Sequence, residues 1–155
     1  MQSRKNDYGV WCTTVMFHFY VIFTDFCLRL LNKKGYRDFR KVSTIYAIIL
    51  LLEFVGDEYK KIASHVSELK TNKINSKLNS IYERVNKLLN LFYELFYKFE
   101  EKKLIEICKL DKESISDIKI LLLKLSDEEK EVIHHLKKIR RIIVDLLQLR
   151  IDLEV

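Results

Sequence analysis

A chain of 155 residues is long enough to bury a core of its own and short enough to be one domain. Its 48% hydrophobic and 32% charged residues exclude an intrinsically disordered chain, and zero prolines with three glycines exclude a turn-rich fold. The net charge of +6 permits an anionic partner, but residues 1–70 hold 11 basic and 7 acidic side chains against 17 and 15 in residues 71–155, so no segment concentrates positive charge as a nucleic-acid module does.

What remains is an all-α protein: an antiparallel helical bundle of about five long helices, with no direct nucleic-acid contact expected. Cys12, Cys27 and Cys108 are odd in number, far apart and set among apolar residues. They read as reduced thiols in a cytoplasmic protein, and no Cys-x-x-Cys spacing offers a thiolate zinc site.

Residues 1–9 are polar and read as a flexible N-terminus. Residues 10–31 form the most apolar segment, with no Asp, Glu, Lys or Arg before Asp25. Asp25 and Arg29 interrupt it before the ~20 apolar residues of a membrane span are reached. No small-residue cleavage site follows, so a bundle helix is expected rather than stable membrane insertion or a signal peptide. Arg29, four residues on, is the expected partner of Asp25 at the helix rim. Gly35 is the expected C-terminal cap, and Asp38 or Ser43 opens the next helix.

In residues 42–69 apolar or small side chains recur at Val42, Ile45, Ile49, Leu52, Gly56, Tyr59, Ala63 and Val66, the spacing of one helical stripe. Beside it stand Glu53 and Asp57, stacked one turn apart. Asp57 has Lys61 four residues on, whereas Glu53 has no cation three or four positions away. Two carboxylates at that spacing are half of a site for a divalent ion such as Mg²⁺, Mn²⁺, Fe or Zn²⁺. His65 reads as a surface histidine, and the adjacent His134 and His135 point about 100° apart on a helix and so do not share a metal.

Residues 70–75 are a polar link. From 76 to 101, Leu78, Ile81, Val85, Leu88, Phe92, Leu95 and Phe99 alternate steps of three and four, the seam of an antiparallel bundle. A turn near Lys102 and Lys103 leads to a helix over 104–125 whose stripe runs Leu104, Cys108, Asp111, Ile115, Ile118, Leu122 and Leu125. Ser126 followed by Glu129 has capping-box spacing, so a further helix starts at 127 and turns Val132, Leu136, Ile139, Ile143 and Leu146 inward. Lys137, Lys138, Arg140 and Arg141 form a basic belt on it, a candidate anion or partner contact. No phosphate-binding glycine loop, catalytic triad or activated cysteine is present, so no enzyme activity is expected.

Leu52-Glu53, then three residues, Asp57, and then Ile62-Ala63, resemble the last helix of a PhoU repeat, the phosphate-uptake regulator domain, in its archaeal form. Sliding the chain so that Leu52 falls on Leu136 aligns Ile49 with Ile133, Val55 with Ile139, Tyr59 with Ile143 and Ile62 with Leu146. The resemblance implies tandem three-helix repeats, with 76–153 a complete second repeat and 10–70 a first repeat that lacks its first helix. It further implies regulation of phosphate uptake and homeostasis as a helical interaction module, with a phosphate transporter or sensor kinase as partner. An iron or zinc cluster, single or multinuclear, would be held through Glu53 and Asp57. Lys137 and Arg141 stand at the corresponding places of the second half, so the acidic motif is charge-inverted there. The missing helix leaves an apolar groove, for which self-association, as a dimer or with another chain, is the expected cover. The other readings are a helical scaffold without a phosphate role and a protein anchored to a membrane by residues 10–31.

Overall fold

The computed structural model describes residues 22–68 and 75–154. The expected flexible stretch 1–9, residues 10–21 of the first expected helix and residues 70–74 of the polar link lie outside the described residues. Helix α1 covers 22–34; a 3-10 turn, Phe39–Lys41, runs into α2, Val42–Glu68; α3 is Ser76–Tyr97, α4 Glu101–Leu121 and α5 Asp127–Asp152. Among the described residues the class is all-α, with five helices and no strand.

The caps explain the boundaries. Gly35 takes φ +70°, and its N–H donates to the Leu31 carbonyl at 2.8 Å, closing α1 in a conformation that glycine alone adopts cheaply. Asp38, rather than Ser43, opens the next stretch: its Oδ1 accepts from the Arg40 N–H at 3.1 Å. The capping box forms, with Ser126 Oγ accepting from Glu129 N–H at 3.3 Å and Glu129 Oε2 from Ser126 N–H at 3.2 Å. The break expected near Lys102 and Lys103 falls instead at residues 98–100, where Lys98 and Glu100 are extended. Arg150 supplies a physical reason: its Nε donates to the carbonyls of Leu95 and Phe96 at 3.2 and 3.1 Å, satisfying two acceptors that a continuing α3 would have used itself.

Two helix pairs are antiparallel. Lys41 Nζ meets the Leu153 carbonyl while Glu58 meets His135, so α2 is antiparallel to α5. Ion pairs Arg84–Asp117, Lys87–Glu106 and Glu94–Lys103 make α3 antiparallel to α4. The α2–α5, α3–α4 and α3–α5 contacts are the most extensive, and α5 lies at the centre. One continuous core draws on α2, α3, α4 and α5, with Val85, Leu95, Ile133, Leu136, Ile139 and Leu146 fully buried.

Two faces differ from expectation. On α2 the buried line is Ile48, Val55 and Ile62, one position before the expected Ile49, Gly56 and Ala63. Residues 45–52 are apolar nearly all round, so period alone does not select a face there; the facing helix does. On α4 the buried residues are Ile107, Ser114, Ile118 and Leu121, whereas Cys108 is exposed and not a packed apolar side chain. Ser114 is accommodated by donating to the Leu110 carbonyl at 2.7 Å. The α3 and α5 seams lie where expected, except that Phe99 is only partly buried. Asp25 and Arg29 pair at 2.8 Å on the surface of α1. Among the described residues no helix is long and apolar enough to cross a membrane.

Two consequences can be measured. Ile139→Ala removes a side chain with 0% exposure and should cost about 2–5 kcal/mol in urea unfolding, whereas Lys137→Ala on the exposed face should stay within about 0.5 kcal/mol. Tyr59 donates to Asn86 Oδ1 at 2.6 Å, and burial, with Tyr82 adding, raises its phenol well above the ordinary 10.0. The unfolded chain therefore loses this proton first, so stability is complete below pH 10 and falls as pH rises further. Tyr59→Phe should cost about 1 kcal/mol at neutral pH and flatten that alkaline fall in a thermal-melt series.

Candidate metal centre at the α2–α5 seam

Antiparallel packing of α2 on α5 brings His65 against Glu131 and His135. Glu131 and His135 are four residues apart on α5, hence on one face. One ligand atom from each of the three lies within 4.8 Å of the others, and the group could hold a metal ion. The His65 and His135 rings stack, with centroids 5.1 Å apart and planes inclined by 20°. Burial grades across the group: His135 is buried, His65 half-buried and Glu131 exposed, so the cluster opens to solvent at its Glu131 side.

A second layer lies behind it. Glu58 is 7% exposed, an unusual place for a carboxylate. Its Oε2 contacts His135 Nδ1 at 2.6 Å, its Oε1 accepts from Lys61 Nζ at 2.6 Å, and Lys138 Nζ stands 3.8 Å from Oε2. Burial pushes the Glu58 carboxyl up, but the hydrogen bonds from Lys61 and His135 and the nearby charge of Lys138 outweigh it and hold the group below its ordinary range.

The residues singled out in the sequence are placed differently. Glu53 and Asp57 are half-buried and share one face of α2, about 160° around the helix from the line through Val55. Among the described residues, the group of three potential metal ligands includes neither of them. The basic belt divides: Lys138 reaches Glu58 on α2, Arg140 pairs with Asp111 on α4, and Lys137 and Arg141 are exposed. Asp111, the acid expected on an apolar seam, is thus half-buried with a cross-helix partner. His134 is exposed and His135 buried, so adjacency in sequence divides them as expected.

His65, Glu131, His135 and Glu58 were not legible as a site. Glu131-x-x-x-His135 carries the spacing of two ligands on one helix face, but the third ligand is contributed by a helix far away in sequence. No protein-family model, curated protein or solved structure matches the chain. The site's chemistry therefore rests on its own geometry.

The Arg140–Asp111 pair, with side chains 18% and 16% exposed, yields a prediction. Arg140→Ala strands a half-buried carboxylate and should cost about 1–3 kcal/mol in urea unfolding. The double change Arg140→Met with Asp111→Leu should return to within about 1 kcal/mol of the parent, because both half-buried charges are removed together.

Proposed function

We propose that the chain is a metal-binding helical interaction module, in which one divalent ion held by His65, Glu131 and His135 ties α2 to α5. The observation that carries this reading is the convergence of two imidazoles and a carboxylate from two helices, one imidazole buried and one carboxylate open to solvent. That donor set suits a borderline ion, zinc first and iron or manganese next, and suits Mg²⁺ poorly because a hard ion prefers oxygen ligands. Three protein ligands leave a further coordination position for water or a partner's side chain. When bound, the ion supplies a Lewis-acidic clasp between the two helices, and any ion that binds only the folded chain stabilises it.

A regulator of the PhoU kind, acting on phosphate uptake from the cytoplasm, is the second reading. It is favoured by Leu52-Glu53, Asp57 and Ile62-Ala63. Further support comes from burial: in the alignment that puts Leu52 on Leu136, the buried Ile48, Val55 and Ile62 fall on the buried Val132, Ile139 and Leu146. In that reading the partner is a phosphate transporter or sensor kinase, the chain self-associates, and Glu53 and Asp57 hold the metal. Ile22, Phe23 and Phe26 of α1 are exposed apolar side chains available to such contacts.

Metal content separates the two. Purified protein should carry about one zinc-type ion by mass spectrometry. His65→Ala and His135→Ala should each lose it, while the double change Glu53→Ala with Asp57→Ala should keep it. The reverse pattern would move the metal to the acid pair, and co-purification of a transporter ATPase would then carry the regulatory reading.

A further inference from the structure

A carboxylate oxygen can only accept a hydrogen bond, so in the 2.6 Å contact between Glu58 Oε2 and His135 the proton lies on Nδ1 of the imidazole. With Nδ1 committed, Nε2 is the nitrogen whose lone pair is open to an ion. We infer that Glu58 is the positioning residue of the α2–α5 metal centre: its buried carboxylate holds His135 by Nδ1 and leaves Nε2 to join His65 and Glu131 around the ion. This rests on the metal-binding reading above and adds which residue tunes the site and by what bond.

The surroundings support an assigned role over incidental packing. Both partners are nearly enclosed, with side-chain exposures of 9% for Glu58 and 8% for His135. A desolvated carboxylate is costly unless its lone pairs are filled, and here Lys61 fills those of Oε1, leaving Oε2 for the ring. Lys61 thereby anchors the carboxylate from the solvent side while Glu58 anchors the ring from the inside. A carboxylate behind a ligating histidine fixes the ring's orientation, raises its strength as a donor, and changes metal affinity by about 10–100-fold. The stacked His65 ring packs against the same imidazole, so rotation of His135 is opposed from both sides.

The test uses the full chain, stripped of metal by a chelator. Zn²⁺ affinity is measured by competition with a chromophoric chelator, and Co²⁺ is titrated for its visible spectrum. Glu58→Gln keeps the shape and the acceptor oxygen but removes the charge. It should weaken Zn²⁺ binding about 10–100-fold at unchanged stoichiometry and alter the Co²⁺ absorption, while helical circular dichroism is retained. Glu58→Asp, shorter but charged, should recover part of the affinity if the chain shifts to meet it. Should the Gln variant not fold, ¹⁵N spectra of the parent at mildly alkaline pH decide instead: the metal-free ring should be protonated at Nδ1, and the bound ion should perturb Nε2. Equal Zn²⁺ affinity in parent and Gln variant, or coordination through Nδ1, overturns the inference and leaves the metal reading standing. A parent that binds neither Zn²⁺ nor Co²⁺ overturns both.

Discussion

The enclosure of one carboxylate, that of Glu58, governs how α2 lies on α5. An anion removed from water loses several kcal/mol of solvation unless donors replace it, and here a lysine of the same helix and a histidine of the facing helix do so. Reaching His135 sets the rotation of α2 about its own axis. With Glu58 at the seam, Ile48, Val55 and Ile62 become the buried line, and Glu53 and Asp57 are carried to the far side of the helix. The same rotation turns His65 toward Glu131 and His135. Core packing, burial of an anion and the assembly of the metal-type cluster are therefore one geometric choice.

Helix α5 addresses each neighbour through a few polar contacts set among apolar ones. His135 meets Glu58 of α2, Arg140 meets Asp111 of α4, and Arg150 meets the terminal carbonyls of α3. Apolar stripes tolerate sliding and rotation at small cost, because one methyl group substitutes for another. A polar group that finds no partner in a shifted register is penalised by about 1–3 kcal/mol, so the three contacts discriminate against neighbouring arrangements. Arg150 does this while also lying over the Phe99 ring, 5.3 Å from its centroid, so its long stem and charged head are both used.

Where one helix face is apolar and the other charged, the sequence was readable. The seams of α3 and α5, the capping box at Ser126, the glycine stop at Gly35 and the Asp25–Arg29 pair all follow from side-chain chemistry within a few residues. The face of α2 was not readable, because Ile45 to Leu52 offers apolar side chains in every direction. The α4 face is only partly as expected: Ile118 and Leu125 are buried, but a hydroxyl, Ser114, takes a buried place by bonding its own helix, while Cys108 faces solvent. The candidate site lay deeper still. Its ligands are ordinary taken singly, and only the antiparallel register of α2 against α5, fixed by contacts far apart in the chain, makes them a group.

The central place of α5 has a consequence for biosynthesis. It is the last of these helices to leave the ribosome, yet it supplies the fully buried Ile133, Leu136, Ile139 and Leu146 around which the others close. Until it emerges, the apolar sides of α2 and α3 that pack on α5 lack that cover. Closure of the bundle therefore awaits α5, and a chain that has not yet made this helix presents apolar surface of the kind that chaperones shield.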